Sequence, residues 1–163
     1  MGTATETNRR RMTFAIDVAA PADEAFALIS DIDRHAEWSP QEFEATRVDE
    51  GPITVGSRYR TAGRKGARKD HLRTTDVVVV EYEPITRFAF TATETAGIYR
   101  TTFVISSSGS GSHIERIVDP PTTGAVPFIR HVVLAPVIRR YLQQNMDSLK
   151  RRLDRGAAVT QRS

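Results

Sequence analysis

The sequence predicts an α+β domain in which a seven-stranded antiparallel sheet carries its helices on one face. Three observations lead there: seven short β-rich segments separated by turn residues, a short amphipathic helix after the first of them, and one long helical segment closing the chain. With 163 residues the chain is the size of one domain able to bury a core. A single domain over residues 12–155 is therefore expected, with 1–11 and 156–163 as flexible termini.

The elements follow in order. Residues Thr13 to Val18 alternate so that Phe14, Ile16 and Val18 share one face of a strand. Pro21 suits the first turn of a helix, where its missing donor costs nothing, and Asp23 and Glu24 sit well against the positive end of the helix dipole. Phe26, Leu28, Ile29 and Ile32 give that helix a single apolar face. Asp31 or Asp33 can cap a second short helical turn containing "RHAEW", and Pro40 ends it.

Six strand-like pieces come next: "EFEATRVDE", "GSRYRTAG", "HLRTTDVVVVEYEP", "TRFAFTATE", "GIYRTTFVISS" and "SHIERIVD". Their separators are short and rich in Gly, Pro, Ser and Asp, as hairpin connections are. A parallel crossover needs a dozen or more residues, so the pairing is antiparallel. From about Pro127 to Arg155 the pattern is helical, and Pro136 is expected to kink this helix or end its first half. Ile138, Leu142, Met146, Leu149 and Leu153 form a stripe, with Arg139, Arg140, Lys150, Arg151 and Arg152 mostly on the other side. A twisted sheet can wrap such a helix and leave a cavity between them.

Composition narrows the function. The chain is 39% hydrophobic and 26% charged, a globular balance, and it has no cysteine, which excludes disulfides, thiolate metal sites and a cysteine nucleophile. His35, His71, His113 and His131 show no metal-binding spacing, and neither a nucleophile elbow nor a phosphate loop is present, so no metal or cofactor is expected. The formal charge is +3, and the basic clusters "NRRR", "GRKGARKDH" and "LKRRLDRG" lack the interleaved aromatics of a nucleic-acid surface. Without an apolar run of about 18 residues or a signal-like apolar core, a cytoplasmic protein with no integral membrane segment is expected.

The stretch "APADEAFALISDIDRHAEW" resembles the opening signature of the START-like (SRPBCC) superfamily, in its polyketide cyclase/dehydrase and lipid-transport branch. The similarity continues through "VGSRYR", "VVEYEPITRFAF" and "NMDSLKRRLD", in order, over about residues 12 to 155. This resemblance implies a helix-grip fold: a seven-stranded antiparallel sheet around the long C-terminal helix, with two short helices after the first strand and an apolar tunnel inside. It also implies a small hydrophobic ligand, such as a lipid or polyketide, and in some members cyclisation or dehydration of polyketides. Pro127 and Pro136 depart from the usual pattern and bear on the shape of the tunnel mouth.

Strand alternation then selects candidate ligand-binding residues. Tyr99, Thr101, Phe103 and Ile105 form the more apolar, inward set of their strand, leaving Arg100 and Thr102 to water. In the next strand Ile114, Arg116 and Val118 point inward, whereas a one-residue slip at a bulge would put His113 and Glu115 there instead. Because Asp76 shares a face with Val78, Val80 and Tyr82, it is the expected partner for a buried Arg116. Trp38 can wall the cavity, Tyr59 can orient a ligand, and Phe128 with His131 lie where the tunnel mouth is expected. Three readings stay open: a binding protein for a hydrophobic or amphipathic molecule, a polyketide cyclase/dehydratase with an acid/base group in the cavity, and an interaction module whose cavity has collapsed. Either a monomer or a homodimer is compatible with them.

Overall fold

In chain order the elements are β1 (Met12–Val18), α1 (Ala22–Ser30), a 3-10 helix (Ile32–Glu37), β2 (Phe43–Arg47), β3 (Arg58–Arg64), β4 (Leu72–Glu83), β5 (Arg87–Glu94), β6 (Gly97–Ser108), β7 (Gly111–Asp119) and α2 (Phe128–Thr160). This computed structural model describes residues 11–64, 72–94, 97–119 and 128–160, with side chains at 11–63, 74–93, 97–119 and 135–159. The seven strands form one sheet in the order β1-β7-β6-β5-β4-β3-β2, and every neighbouring pair is antiparallel. The helix-grip architecture implied by the sequence is the one observed.

Phe14, Ile16 and Val18 of β1 are buried, as their alternation requires. Pro21 sits one position earlier than expected, at the N-cap of α1 with φ −62° and ψ 160°, and its carbonyl accepts from the Ala25 N–H at 3.0 Å. A missing donor is harmless there too, since that N–H would lie outside the helix ladder. Ala22, Ala25, Phe26, Leu28 and Ile29 form the buried face of α1, which packs over β5, β6 and β7. Asp31 ends α1 in an extended conformation and caps the 3-10 helix by accepting from the Asp33 N–H at 3.2 Å. At the start of β7 the backbone runs so close to β1 that a Cβ on Gly111 would overlap the Val18 carbonyl.

Two expectations change. The register of β4 on β5 breaks between Val79 and Glu81, so one residue is bulged out. Val77 and Val79 are buried and Tyr82 joins the core from beyond the bulge, which leaves Asp76 on the outer face. There it meets Arg60 at 3.3 Å, with 69% of its side chain exposed, and it is not the partner of Arg116. Second, Pro136 does not end half of α2: the helix continues through it from Phe128 to Thr160. The proline lies on the exposed side, where water can serve the carbonyl that loses its donor.

Leu142, Met146, Leu149 and Leu153 of α2 are buried, and the stripe extends to Ala157. The helix lies alongside β1: the Arg139 guanidinium is 5.9 Å from the Phe14 ring, Lys150 Nζ donates to the Asp17 carbonyl, and the Ala19 N–H donates to Asp154 Oδ1 at 2.8 Å. Glu37 ties the 3-10 helix to this scaffold by accepting from Arg34 at 2.7 Å and from Arg152 at 2.6 Å.

Candidate functional site in the grip of the sheet

Antiparallel register builds the inner surface in rows. Phe14, Arg116, Phe103, Phe88 and Tyr82 stand opposite one another across β1, β7, β6, β5 and β4. A second row, Tyr99, Ala92, Val77 and Tyr59, crosses β6, β5, β4 and β3. Aromatic rings line the first row: Phe88 is 6.3 Å from Tyr82 and 6.0 Å from Phe90, and Tyr82 meets Phe26 of α1 edge-on at 5.3 Å. This is an apolar surface with few polar interruptions.

The main interruption is Arg116. Its Nε and Nη1 are buried without a hydrogen-bond partner, and its guanidinium carbon lies 5.4 Å from the Phe103 ring centroid. Burial lowers its pKa to about 10, opposed by Tyr141 of α2, so the group stays charged at neutral pH. No carboxylate is among the described groups that act on it. The alternation of β7 thus puts Arg116 inside, with His113 outside and bonded to Asp17 at 2.8 Å.

Two further polar groups come from the 3-10 helix. His35 is buried, and its Nε2–H donates to the Ile29 carbonyl at 2.8 Å, which leaves Nδ1 as an acceptor. Burial, and to a smaller degree the charge of Arg116, lowers its pKa to about 4, so the imidazole is neutral. Trp38 follows as the C-cap of the same helix, with its ring 4.7 Å from His35 and its Nε1 buried and unpartnered. Tyr59 is 1% exposed and its hydroxyl is also unpartnered. Burial raises the pKa of that hydroxyl to about 12, with the nearby Arg47 opposing, so it stays protonated.

Of the residues predicted to bind a ligand, Trp38, Tyr59, Phe103 and Arg116 are thus on the inner side, with Tyr99 half-buried in the row of Tyr59. Asp76 is outside. The side chains of Phe128 and His131 lie outside the described residues. His35 escaped sequence reasoning, which weighed it only for metal spacing and placed only His131, and His113 after a register slip, near the cavity. Its signal was present: Ile32, His35 and Trp38 recur every three residues, the period of a 3-10 helix, and all three are buried.

Two surface hollows lie elsewhere. One of about 210 Å³ runs beside Glu24, Leu28, Arg34, Arg152 and Leu153. The other, about 230 Å³, lies among Arg11, Arg87, Arg100, Thr102 and Asp119 on the outer face of the sheet. Thr102, expected to face water, is only 3% exposed, because it is a short side chain set among these long arginines. Each of the three has a carboxylate: Glu81 serves Arg87 at 2.7 Å and Arg100 at 2.5 Å, and Asp119 serves Arg11 at 2.6 Å.

With a helix-grip sheet and a buried polar cluster on its inner side, this is a START-like protein. Residues 9–154 match the polyketide cyclase/dehydrase and lipid transport family, and the chain belongs to it. Among solved structures it is similar to the Zhui aromatase/cyclase of Streptomyces sp. R1128, at 16% identity over 89% of this chain and 93% of that one, with a TM-score of 0.72. The di-domain ARO/CYC StfQ of the steffimycin biosynthetic pathway gives 14% identity, a TM-score of 0.71 and coverage of 94% of this chain, which spans 54% of that protein. A protein of Chromobacterium violaceum gives 18%, a TM-score of 0.66, and coverage of 88% and 97%. At these identities the likeness is one of fold. Comparison with curated protein sequences finds no match.

Proposed function

We propose that the protein binds a hydrophobic or amphipathic small molecule, lipid-like or polyketide-like, between α2 and the inner face of the sheet. One observation carries this reading. The buried atoms without partners, Trp38 Nε1, Tyr59 OH, and Arg116 Nε and Nη1, sit on or beside an otherwise apolar surface. Burying a polar group unpaired costs about 1–3 kcal/mol, so such groups need an explanation, and a ligand that pairs with them supplies one. Apolar contact with Phe103, Phe88 and Tyr99 supplies the affinity, and the polar groups supply the orientation. Phe128 and His131 remain proposed for the mouth. Family membership supports the ligand class, and no helix among the described residues is long and apolar enough to cross a membrane. A cytoplasmic location goes with this reading.

The test is displacement of the neutral dye N-phenyl-1-naphthylamine by lipid and polyketide extracts, with native mass spectrometry to identify what stays bound. Absence of both dye binding and any retained small molecule would sink the proposal.

The second reading is a cyclase/dehydratase, favoured by a neutral, buried His35 close enough to feel the charge of Arg116. Arg116 would polarise a ketone while His35 Nδ1 takes a proton from the adjacent carbon, whose electron pair then closes the ring by aldol addition before water leaves. A base with a pKa of about 4 is weak at neutral pH, which ranks this reading behind binding. Ring closure of a poly-β-ketone by the native protein, lost in His35→Gln while binding persists, would reverse that order.

A further inference from the structure

We infer that the ligand carries a carboxylate head on an apolar body, and that Arg116 selects it by charge. This rests on the binding reading above. The unpartnered buried atoms are on an indole N–H, a phenol O–H and a guanidinium, so each can donate, and none is a carbonyl or carboxylate. A ligand whose polar end presents acceptors satisfies them; one ending in an ammonium does not.

The charge count sharpens this to an anion. Arg116 is opposed by Phe103 and Phe14 in its two register pairs, and the described titratable groups that interact with it electrostatically are Tyr141 of α2 and His35 of the 3-10 helix. The first two are hydrocarbon rings and His35 is neutral. Asp76, the carboxylate that strand alternation offered, is turned outward by the β4 bulge onto Arg60. Among the described residues the guanidinium has no counter-charge, and two of its nitrogens are buried, which is costly unless one arrives. A neutral carbonyl would occupy the donors without cancelling the charge, and hydrogen bonds to a carboxylate are roughly twice as strong as neutral ones. The shared chemistry is a carboxylate, whether on a fatty chain or on an aromatic polyketide-like ring.

The experiment compares matched probes by isothermal titration calorimetry at neutral pH: decanoate against 1-decanol, and 2-naphthoate against 2-naphthol. The expected result is that, in at least one pair, the carboxylate binds about tenfold or more tightly than its alcohol. Arg116→Met is expected to bring that ratio near one by weakening the carboxylates more than the alcohols, and Arg116→Lys to keep part of the preference. Which pair responds distinguishes the lipid source from the aromatic one. A native ratio near one overturns the inference and leaves the binding reading standing, as does a ratio unchanged in a folded Arg116→Met protein. Failure of all four probes and of N-phenyl-1-naphthylamine to bind overturns both.

Discussion

Arg116 of β7 holds its guanidinium carbon 5.4 Å from the ring centroid of Phe103, its directly opposed partner on β6. A cation over a ring recovers about 0.5–2 kcal/mol, less than the several kcal/mol lost by taking an ion out of water. The ligand-free fold therefore carries a net penalty at this position. Arg116→Met, of similar length and without charge, is expected to raise ligand-free stability by about 1–4 kcal/mol. Equilibrium urea unfolding checks this, and a loss of stability would show that the charge is compensated in the folded state.

His35 gives the protein an acid-sensitive element. Its folded pKa of about 4 lies below the ordinary 6.5, so the unfolded chain binds a proton that the folded one refuses. Stability from this group is complete above pH 6.5 and falls as the pH drops toward 4, by about 3 kcal/mol in total. His35→Gln is expected to flatten the stability profile over that window, leaving the loss at lower pH that comes from Glu37 and Glu81, whose arginine partners hold their pKa values down. Superimposable profiles of the two proteins between pH 4 and 6.5 would show that His35 is not buried neutral.

Local chemistry made most of the fold legible in the sequence. The alternation of Phe14, Ile16 and Val18, the separators between strands and the stripe from Leu142 to Leu153 each specify one element whose partner is its sequence neighbour or the core. The inward position of Arg116 follows from the same alternation because β7 pairs in unbroken register with both neighbours. Asp76 was misread because the β4 bulge leaves no mark in "VVVV", where every residue is apolar and either parity fits. His35 was missed because its one mark in the sequence, the three-residue step it shares with Ile32 and Trp38, sits in a polar-looking stretch, and the Ile29 carbonyl that receives its ring is six residues away.

The β4–β5 turn holds a removable strain. Ile85 has φ of 70° at the third position of a turn that starts Glu83-Pro84, and the Thr86 N–H closes it on the Glu83 carbonyl at 3.2 Å. A β-branched residue is disfavoured in that region by about 1–2 kcal/mol, and Ile85 is 46% exposed, so little burial offsets the cost. Ile85→Gly is expected to stabilise by about 1 kcal/mol, part of the gain being given back to the greater freedom of glycine in the unfolded chain. A lower thermal midpoint in the variant would mean that the turn is unstrained or that Ile85 packs against something.

Tyr59→Phe separates the cost of a polar group from its use. The hydroxyl is buried without a partner, and burial pushes its pKa up to about 12, so at neutral pH it is a protonated donor with nothing to receive its proton. Removing it deletes an unmade hydrogen bond and keeps the ring against Val77, so ligand-free stability should stay level or rise by up to about 1 kcal/mol. Binding should move the other way. A ligand oxygen that accepts from Tyr59 loses about 0.5–1.5 kcal/mol in the variant, roughly a 2- to 12-fold weaker dissociation constant. Calorimetric titration beside urea unfolding reads both quantities on one preparation. A variant that loses stability and affinity together would assign Tyr59 to the core alone, whereas opposite signs would mark a side chain kept for its ligand at the expense of the fold.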